Sequence, residues 1–192
     1  MREIHLANSY KYYTFNALYP LESDGIYKKG KIYTFILRTA NPELKGYFYE
    51  ELPKQFNSAI KLLTAEYKEV SKRHIQKLYS ITPLILKFDI GYWRDKYSLE
   101  VFEKRIRNNL IKKYNSFNHV KLEEDFELFT YLKIENQKPI GFEYKNIILL
   151  GDKITVHVAE NDIAQKLAYM AIASGLGEMG SRGAGFVNFK YS

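Results

Sequence analysis

The order of hydrophobic patterns after Pro83 is the feature that most restricts how this chain can fold. A strand-like run (LILKFD) is followed by a stripe of apolar residues at helical spacing that begins at the N-cap candidate Ser98. Three strand-like runs come next, FELFTYLKIE, KNIILL and KITVHVAE. Asn161 then caps a second predicted helix, DIAQKLAYMAIAS, and FVNFKY is a last strand. This order matches the βαββαβ ferredoxin-like plan with one added strand in the middle.

The first 80 residues read as a partial copy of the same plan. KIYTFILRT, residues 31–39, alternates as a half-buried strand does. Asn41 and Pro42 predict a helix start, and a second short helix is expected over residues 56–63. EYKEVSKRHIQKLYSIT is typical of one or two strands. We therefore predict an α+β protein with tandem ferredoxin-like (RRM-like) units: residues 1–80, lacking the opening strand and helix, and residues 81–192.

Composition restricts the function without deciding it. The absence of cysteine excludes disulfides and thiolate metal sites and favours a reducing compartment, and no apolar run has the length of a membrane span. A cytoplasmic protein is expected. A net charge of +7 with 16% aromatic residues fits nucleic-acid binding through cations and stacking rings. An AT-rich coding sequence also enriches Lys, Tyr, Phe, Ile and Asn, so both explanations stay open.

Five of the eleven glycines lie between residues 175 and 185. A helix precedes this loop and a strand follows it, which is the reverse of a dinucleotide-binding fingerprint, and the P-loop pattern is absent. A C-cap at Gly175 and tight turns would explain one or two glycines. Exposed backbone N–H groups beside an arginine suit a phosphodiester chain. The loop residues predicted to bind RNA are Gly175, Gly177, Ser181, Arg182, Gly183 and Gly185.

The loop GLGEMGSRGAGFVNF resembles the C-terminal glycine-rich loop of the Cas6 family of CRISPR repeat-processing endoribonucleases. NALYPLESDGIYKKGKIYTFILRT, LYSITPLILK and IRNNLIKKYNSF are also similar to members of that family. The resemblance implies cleavage of CRISPR repeat RNA without a metal, by attack of a ribose 2′-hydroxyl that leaves a 2′,3′-cyclic phosphate. It implies precursor CRISPR RNA as the partner, with effector-complex subunits and a homodimer as further candidates. A non-catalytic RNA-binding relative, or a structural subunit of an effector complex, is the alternative.

The same resemblance assigns catalytic roles to His5 and Lys11. Histidine suits proton transfer near neutral pH, and lysine suits the charge that develops on the phosphorus. Without the resemblance, His5 would read as a frayed terminal residue. Family members carry a strand and helix before this histidine, so the resemblance also leads us to expect a shortened N-terminus.

The remaining polar clusters give weaker predictions. Lys28, Lys29 and Lys31 lie at a loop tip between aromatic strands and are expected to contact phosphate. The cations of the helix after Ser98 are expected to face water: Lys104, Arg105, Arg107, Lys112 and Lys113. Among the other histidines, His74 could touch RNA, although a solvated position is the simpler reading; His157 is expected on a sheet face and His119 in an exposed loop. The acidic run at residues 123–125 has no partner ligand at metal-binding spacing, so no metal and no cofactor is expected.

Overall fold

The computed structural model describes residues 10–89 and 91–192. Its centre is a four-stranded antiparallel sheet made of β3 (Ile75–Ser80), β4 (Phe129–Ile134), β7 (Ile154–Val158) and β8 (Val187–Tyr191). The spatial order is β4-β7-β3-β8. If the four strands are numbered 1 to 4 along the chain, their order in the sheet is 2-3-1-4. One helix connects β3 to β4, and another connects β7 to β8. The sequence prediction of a ferredoxin-like unit is confirmed.

Two helices cover one face of this sheet. Helix α2 (Leu99–Asn118) begins where the Ser98 hydroxyl accepts from Val101 N at 3.4 Å, and helix α3 (Asp162–Ser174) begins where the Asn161 side chain accepts from Ala164 N at 2.9 Å. Both caps are those that the sequence predicts. The core lies between sheet and helices and includes the following side chains: Leu78, Phe102, Ile106, Leu110, Ile154, Val156 and Leu167.

A hairpin projects from this unit between β4 and β7. Strands β5 (Ile140–Tyr144) and β6 (Ile147–Gly151) form a separate antiparallel sheet, so the insertion holds two strands rather than the one expected. Its base is fixed by the fully buried Asp152, which accepts from Trp93 Nε1 at 2.6 Å and from Asn136 Nδ2 at 2.8 Å. Arg94 pairs with the same carboxylate.

The N-terminal part is smaller. β1 (Tyr13–Phe15) pairs antiparallel with β2 (Leu37–Thr39), and helix α1 (Pro42–Glu50) follows the Asn41 cap as predicted. Of the strand predicted over residues 31–39, only the last three residues form a strand. Thr34 makes one isolated bridge, to Tyr19. The helix predicted over residues 56–63 is absent, and Phe56 instead bridges Lys61.

The structure also changes which stretch opens the C-terminal sheet. Ile75–Ser80 pairs with both β7 and β8, whereas LILKFD makes only isolated bridges to Asp152, Glu178 and Gly91. The division at residue 80 therefore separates β3 from the strands that it pairs with. None of the helices in the described ranges combines the length and apolarity needed to cross a bilayer.

Candidate nucleic-acid interface

The glycine-rich loop, residues 175–186, is packed into the protein. It joins α3 to β8 and is held by backbone hydrogen bonds at three points: Leu176 N to Gly185 O (2.9 Å), Glu178 N to Ile85 O (2.8 Å) and Gly185 N to Pro83 O (2.8 Å). Among the six loop residues predicted to bind RNA, the four glycines are buried, Ser181 is half-buried and only Arg182 is exposed.

Close packing explains the glycines better than flexibility does. A Cβ added to Gly185, whose φ is +66°, would lie 1.9 Å from the Leu176 carbonyl oxygen, and one on Gly177 (φ +68°) would lie 2.2 Å from Leu84. Added Cβ atoms at all five positions of the cluster would come within 3.1 Å of a neighbouring atom. Close packing therefore gives a reason for all five glycines, of which a C-cap and tight turns explain only one or two. Because most of the loop backbone is covered, its exposed side chains are the groups that can reach a ligand.

Lys113 of α2 holds the glycine-rich loop through two hydrogen bonds. Its Nζ atom is buried and donates to Gly175 O at 2.8 Å and Gly177 O at 2.6 Å. Burial lowers the pKa of Lys113 from 10.5 to about 7, against the opposing effect of the Glu178 carboxylate. The expectation that Lys113 faces water is wrong. It follows Ile106 and Leu110 at helical spacing, so the sequence does place it on the buried stripe of α2.

The segment that carries Lys11 runs between α2 and the glycine-rich loop. The Tyr12 hydroxyl donates to Ser116 Oγ at 2.8 Å, and its ring meets Phe117 edge-on with centroids 4.9 Å apart. Tyr13 is buried, and burial raises the pKa of its phenol, whereas Arg182 and a hydrogen bond from Ser181 act in the opposite direction. The two residues that follow Lys11 thus contact α2 and the glycine-rich loop. His5 lies outside the described residues.

Arg182 connects the loop to the inserted hairpin. Its guanidinium lies 5.5 Å from the centre of the Tyr144 ring on β5, in the range of a cation–π contact. The exposed tip of the loop thus lies between Tyr13 on β1 and Tyr144 on the hairpin, two aromatic residues from opposite parts of the chain.

The lysines at the N-terminal loop tip are partly neutralised within their own loop. Lys28 pairs with Asp24, and Lys31 pairs with Glu22 at 2.6 Å. Lys29 is exposed. Two of the three predicted phosphate contacts would therefore require an existing ion pair to open.

Arg38 is a structural residue that the sequence did not single out. It reaches from β2 to β8, where it donates to Val187 O and to Asn188 Oδ1 at 2.9 Å, and its guanidinium lies 4.4 Å from the centre of the Phe186 ring. Burial lowers the pKa of Arg38 to about 10. This contact joins the N-terminal part to the C-terminal sheet directly after the glycine-rich loop.

A family model for the C-terminal region of CRISPR associated protein Cas6 matches residues 65–189. The chain belongs to the Cas6 family. The match contains α2, α3, the inserted hairpin and the whole glycine-rich loop. No curated protein sequence matched the chain significantly.

Solved structures show the same fold over nearly the whole chain. A CRISPR associated protein Cas6 is 22% identical with a TM-score of 0.70, and the alignment covers 98% of this chain and 82% of that one. A Cas6-related protein from Pyrococcus furiosus is 17% identical with a TM-score of 0.67, covering 93% and 78%. A CRISPR RNA processing endoribonuclease, Cas6b, is 17% identical with a TM-score of 0.54, covering 94% and 82%. At these identities the likeness supports the tandem ferredoxin-like architecture alone.

Proposed function

We propose that this Cas6-family protein binds CRISPR repeat RNA and cleaves it without a metal ion to give guide RNAs. The observation that carries the proposal is the position of Lys11, in a segment fixed between α2 and the glycine-rich loop of a Cas6-family fold. The structural relative named as a CRISPR RNA processing endoribonuclease supports the same reaction class.

The proposed chemistry is an in-line displacement at phosphorus. The 2′-hydroxyl beside the scissile phosphate loses its proton and attacks, the P–O5′ bond breaks, and the products carry a 2′,3′-cyclic phosphate and a 5′-hydroxyl. His5 would act as the general base that takes the 2′-hydroxyl proton or as the general acid that protonates the leaving 5′-oxygen, with water carrying the other proton, and Lys11 would stabilise the added negative charge on the phosphorane oxygens. Arg182, exposed at the loop tip, would hold an adjacent phosphate.

Cleavage of repeat RNA in excess EDTA tests the reaction. We expect a cyclic-phosphate product, and no product when the nucleotide before the cut carries a 2′-deoxyribose. H5A and K11A should each slow cleavage about 100-fold or more, whereas the matched controls H119A and K121A, which alter exposed residues, should cleave as the wild type does.

Two results would contradict the assignment. Undiminished cleavage by H5A would remove His5 from the mechanism, and cleavage of the 2′-deoxy substrate would exclude attack by the 2′-hydroxyl. Salt-dependent binding of the repeat without cleavage would instead favour a non-catalytic RNA-binding relative.

A further inference from the structure

A polar groove runs along one side of α2 and reaches Glu178 of the glycine-rich loop. It consists of two adjoining clefts of about 250 and 230 Å³ that share Arg105 and Asn108. The first cleft extends to Tyr10, Asn109, Lys112 and Glu178, and the second to Lys87, Phe88, Asp89, Tyr97, Val101 and Lys104. We call this surface the α2 groove.

The sequence of α2 produces the groove. Lys104, Asn108 and Lys112 recur every four residues, so they lie above one another on one face of the helix, with Arg105 beside them. From Lys104 to Lys112 the helix rises about 12 Å. At about 3.4 Å for each stacked nucleotide, this length corresponds to about three or four nucleotides of one strand.

The charge of the groove favours a polyanion. Four cations line it (Lys87, Lys104, Arg105 and Lys112), against two carboxylates, Asp89 and Glu178. Arg105 is in contact with Glu178 at 3.3 Å, but about half of its side chain remains accessible, and Lys87, Lys104 and Lys112 are exposed.

Aromatic groups in the α2 groove favour RNA over an acidic peptide. Tyr10 lines one end of the groove, and Phe88 and Tyr97, whose ring centroids are 4.7 Å apart, line the other. All three side chains are half-buried and offer surfaces on which unpaired bases can stack.

We propose that the α2 groove binds the sugar-phosphate backbone of single-stranded RNA that leads away from Lys11, because cations and half-buried rings line one continuous path beginning at Tyr10. The idea that the bound RNA is the part of the repeat next to the cleaved bond rests on the proposed function. Binding of an RNA backbone by the groove is independent of that function, because it requires no particular sequence.

The test measures binding of a fluorescein-labelled 12-nucleotide RNA of unrelated sequence to the full chain at several NaCl concentrations. Loss of two phosphate contacts in K104Q/R105Q should reduce the slope of log K against log[salt] by about 1.4, and weaken binding about 25-fold at 0.1 M and about 5-fold at 0.3 M. The control K121Q/K166Q removes two exposed lysines outside the groove and should bind as the wild type does. K87Q/K112Q, at exposed positions of both clefts, repeats the test if loss of the Arg105–Glu178 contact unfolds the first variant.

Three outcomes would contradict RNA binding by the α2 groove. They are wild-type affinity in both groove variants, an equal loss of affinity in K121Q/K166Q, and displacement of the RNA by poly-glutamate as effectively as by unlabelled RNA. Because the labelled RNA contains no repeat, these outcomes are independent of cleavage. If the groove variants weaken RNA binding but the wild type never cuts the repeat, the proposed function is contradicted and RNA binding by the α2 groove is still supported.

Discussion

Replacement of Lys113 by methionine tests whether a buried amine holds the glycine-rich loop. The stem of methionine fills a similar space, but the two hydrogen bonds to Gly175 O and Gly177 O are lost. Each buried carbonyl left without a donor costs about 1–3 kcal/mol. K113M should therefore be less stable than the wild type by about 2–6 kcal/mol at pH 9, where the buried amine is already neutral.

The difference in stability between the wild type and K113M should depend on pH. The pKa of Lys113 is lowered from 10.5 to about 7 in the folded state, so between these values the unfolded chain binds the proton and the folded protein does not. The free energy of unfolding of the wild type therefore rises with pH across that window, at up to about 1.4 kcal/mol per pH unit. Between pH 7 and pH 9 the wild type should gain about 2 kcal/mol that K113M does not gain.

Guanidinium unfolding of both proteins at pH 7, 8 and 9 measures the difference. K112M is the matched control, because the neighbouring Lys112 is exposed and its replacement should leave the pH dependence of stability as in the wild type. A gap between wild type and K113M that stays constant from pH 7 to pH 9 would refute the idea that the folded protein buries this amine in its neutral form.

Four further substitutions test the packing around the candidate interface. G185A should destabilise the protein by more than about 3 kcal/mol in denaturant titrations, because its Cβ would meet a backbone oxygen at 1.9 Å with φ at +66°. G46A, at a helical position with no neighbour within 4 Å, should stabilise it by up to about 1 kcal/mol; equal effects of the two changes would disprove close packing of the loop. R38M should cost about 2–4 kcal/mol in the same assay through lost hydrogen bonds between β2 and β8, and a neutral result would mean that the two parts are joined without it. D152N should lower stability by about 3–5 kcal/mol by unpairing Arg94 at the base of the hairpin, as thermal unfolding would show, and a change under about 1 kcal/mol would contradict that role.

The elements that the sequence predicts well are those that local forces decide. The Ser98 and Asn161 caps and the apolar stripes behind them act within one or two helical turns, so α2 and α3 are predicted from their own residues. The spatial strand order follows from the ferredoxin-like plan once those helices are placed.

Tertiary contacts decide the features that the sequence left unpredicted or predicted wrongly. Leu84 and Ile85 are buried beside the glycine-rich loop, which explains why they are apolar. LILKFD therefore has the composition of a strand although no neighbouring strand pairs with it along its length. Lys113 breaks the rule that cations on a helix face water, since the carbonyl groups that receive its hydrogen bonds lie more than 60 residues further along the chain. The periodicity of α2 marks the position as buried, but only the packed loop explains why an amine is placed there.

The packing of the loop bears directly on how RNA would be held. A loop whose glycines touch neighbouring backbone cannot reshape itself around a ligand without breaking those contacts, so its exposed groups should be fixed before RNA arrives. Lys113 ties the loop to α2 from inside, and Arg105 contacts Glu178 of the same loop on the surface. The α2 groove, the segment of Lys11 and Arg182 are therefore carried by one packed unit. Under the proposed function, an RNA strand bound along the groove would meet Arg182 and the segment of Lys11 in fixed positions, which would lower the entropic cost of aligning the scissile phosphate.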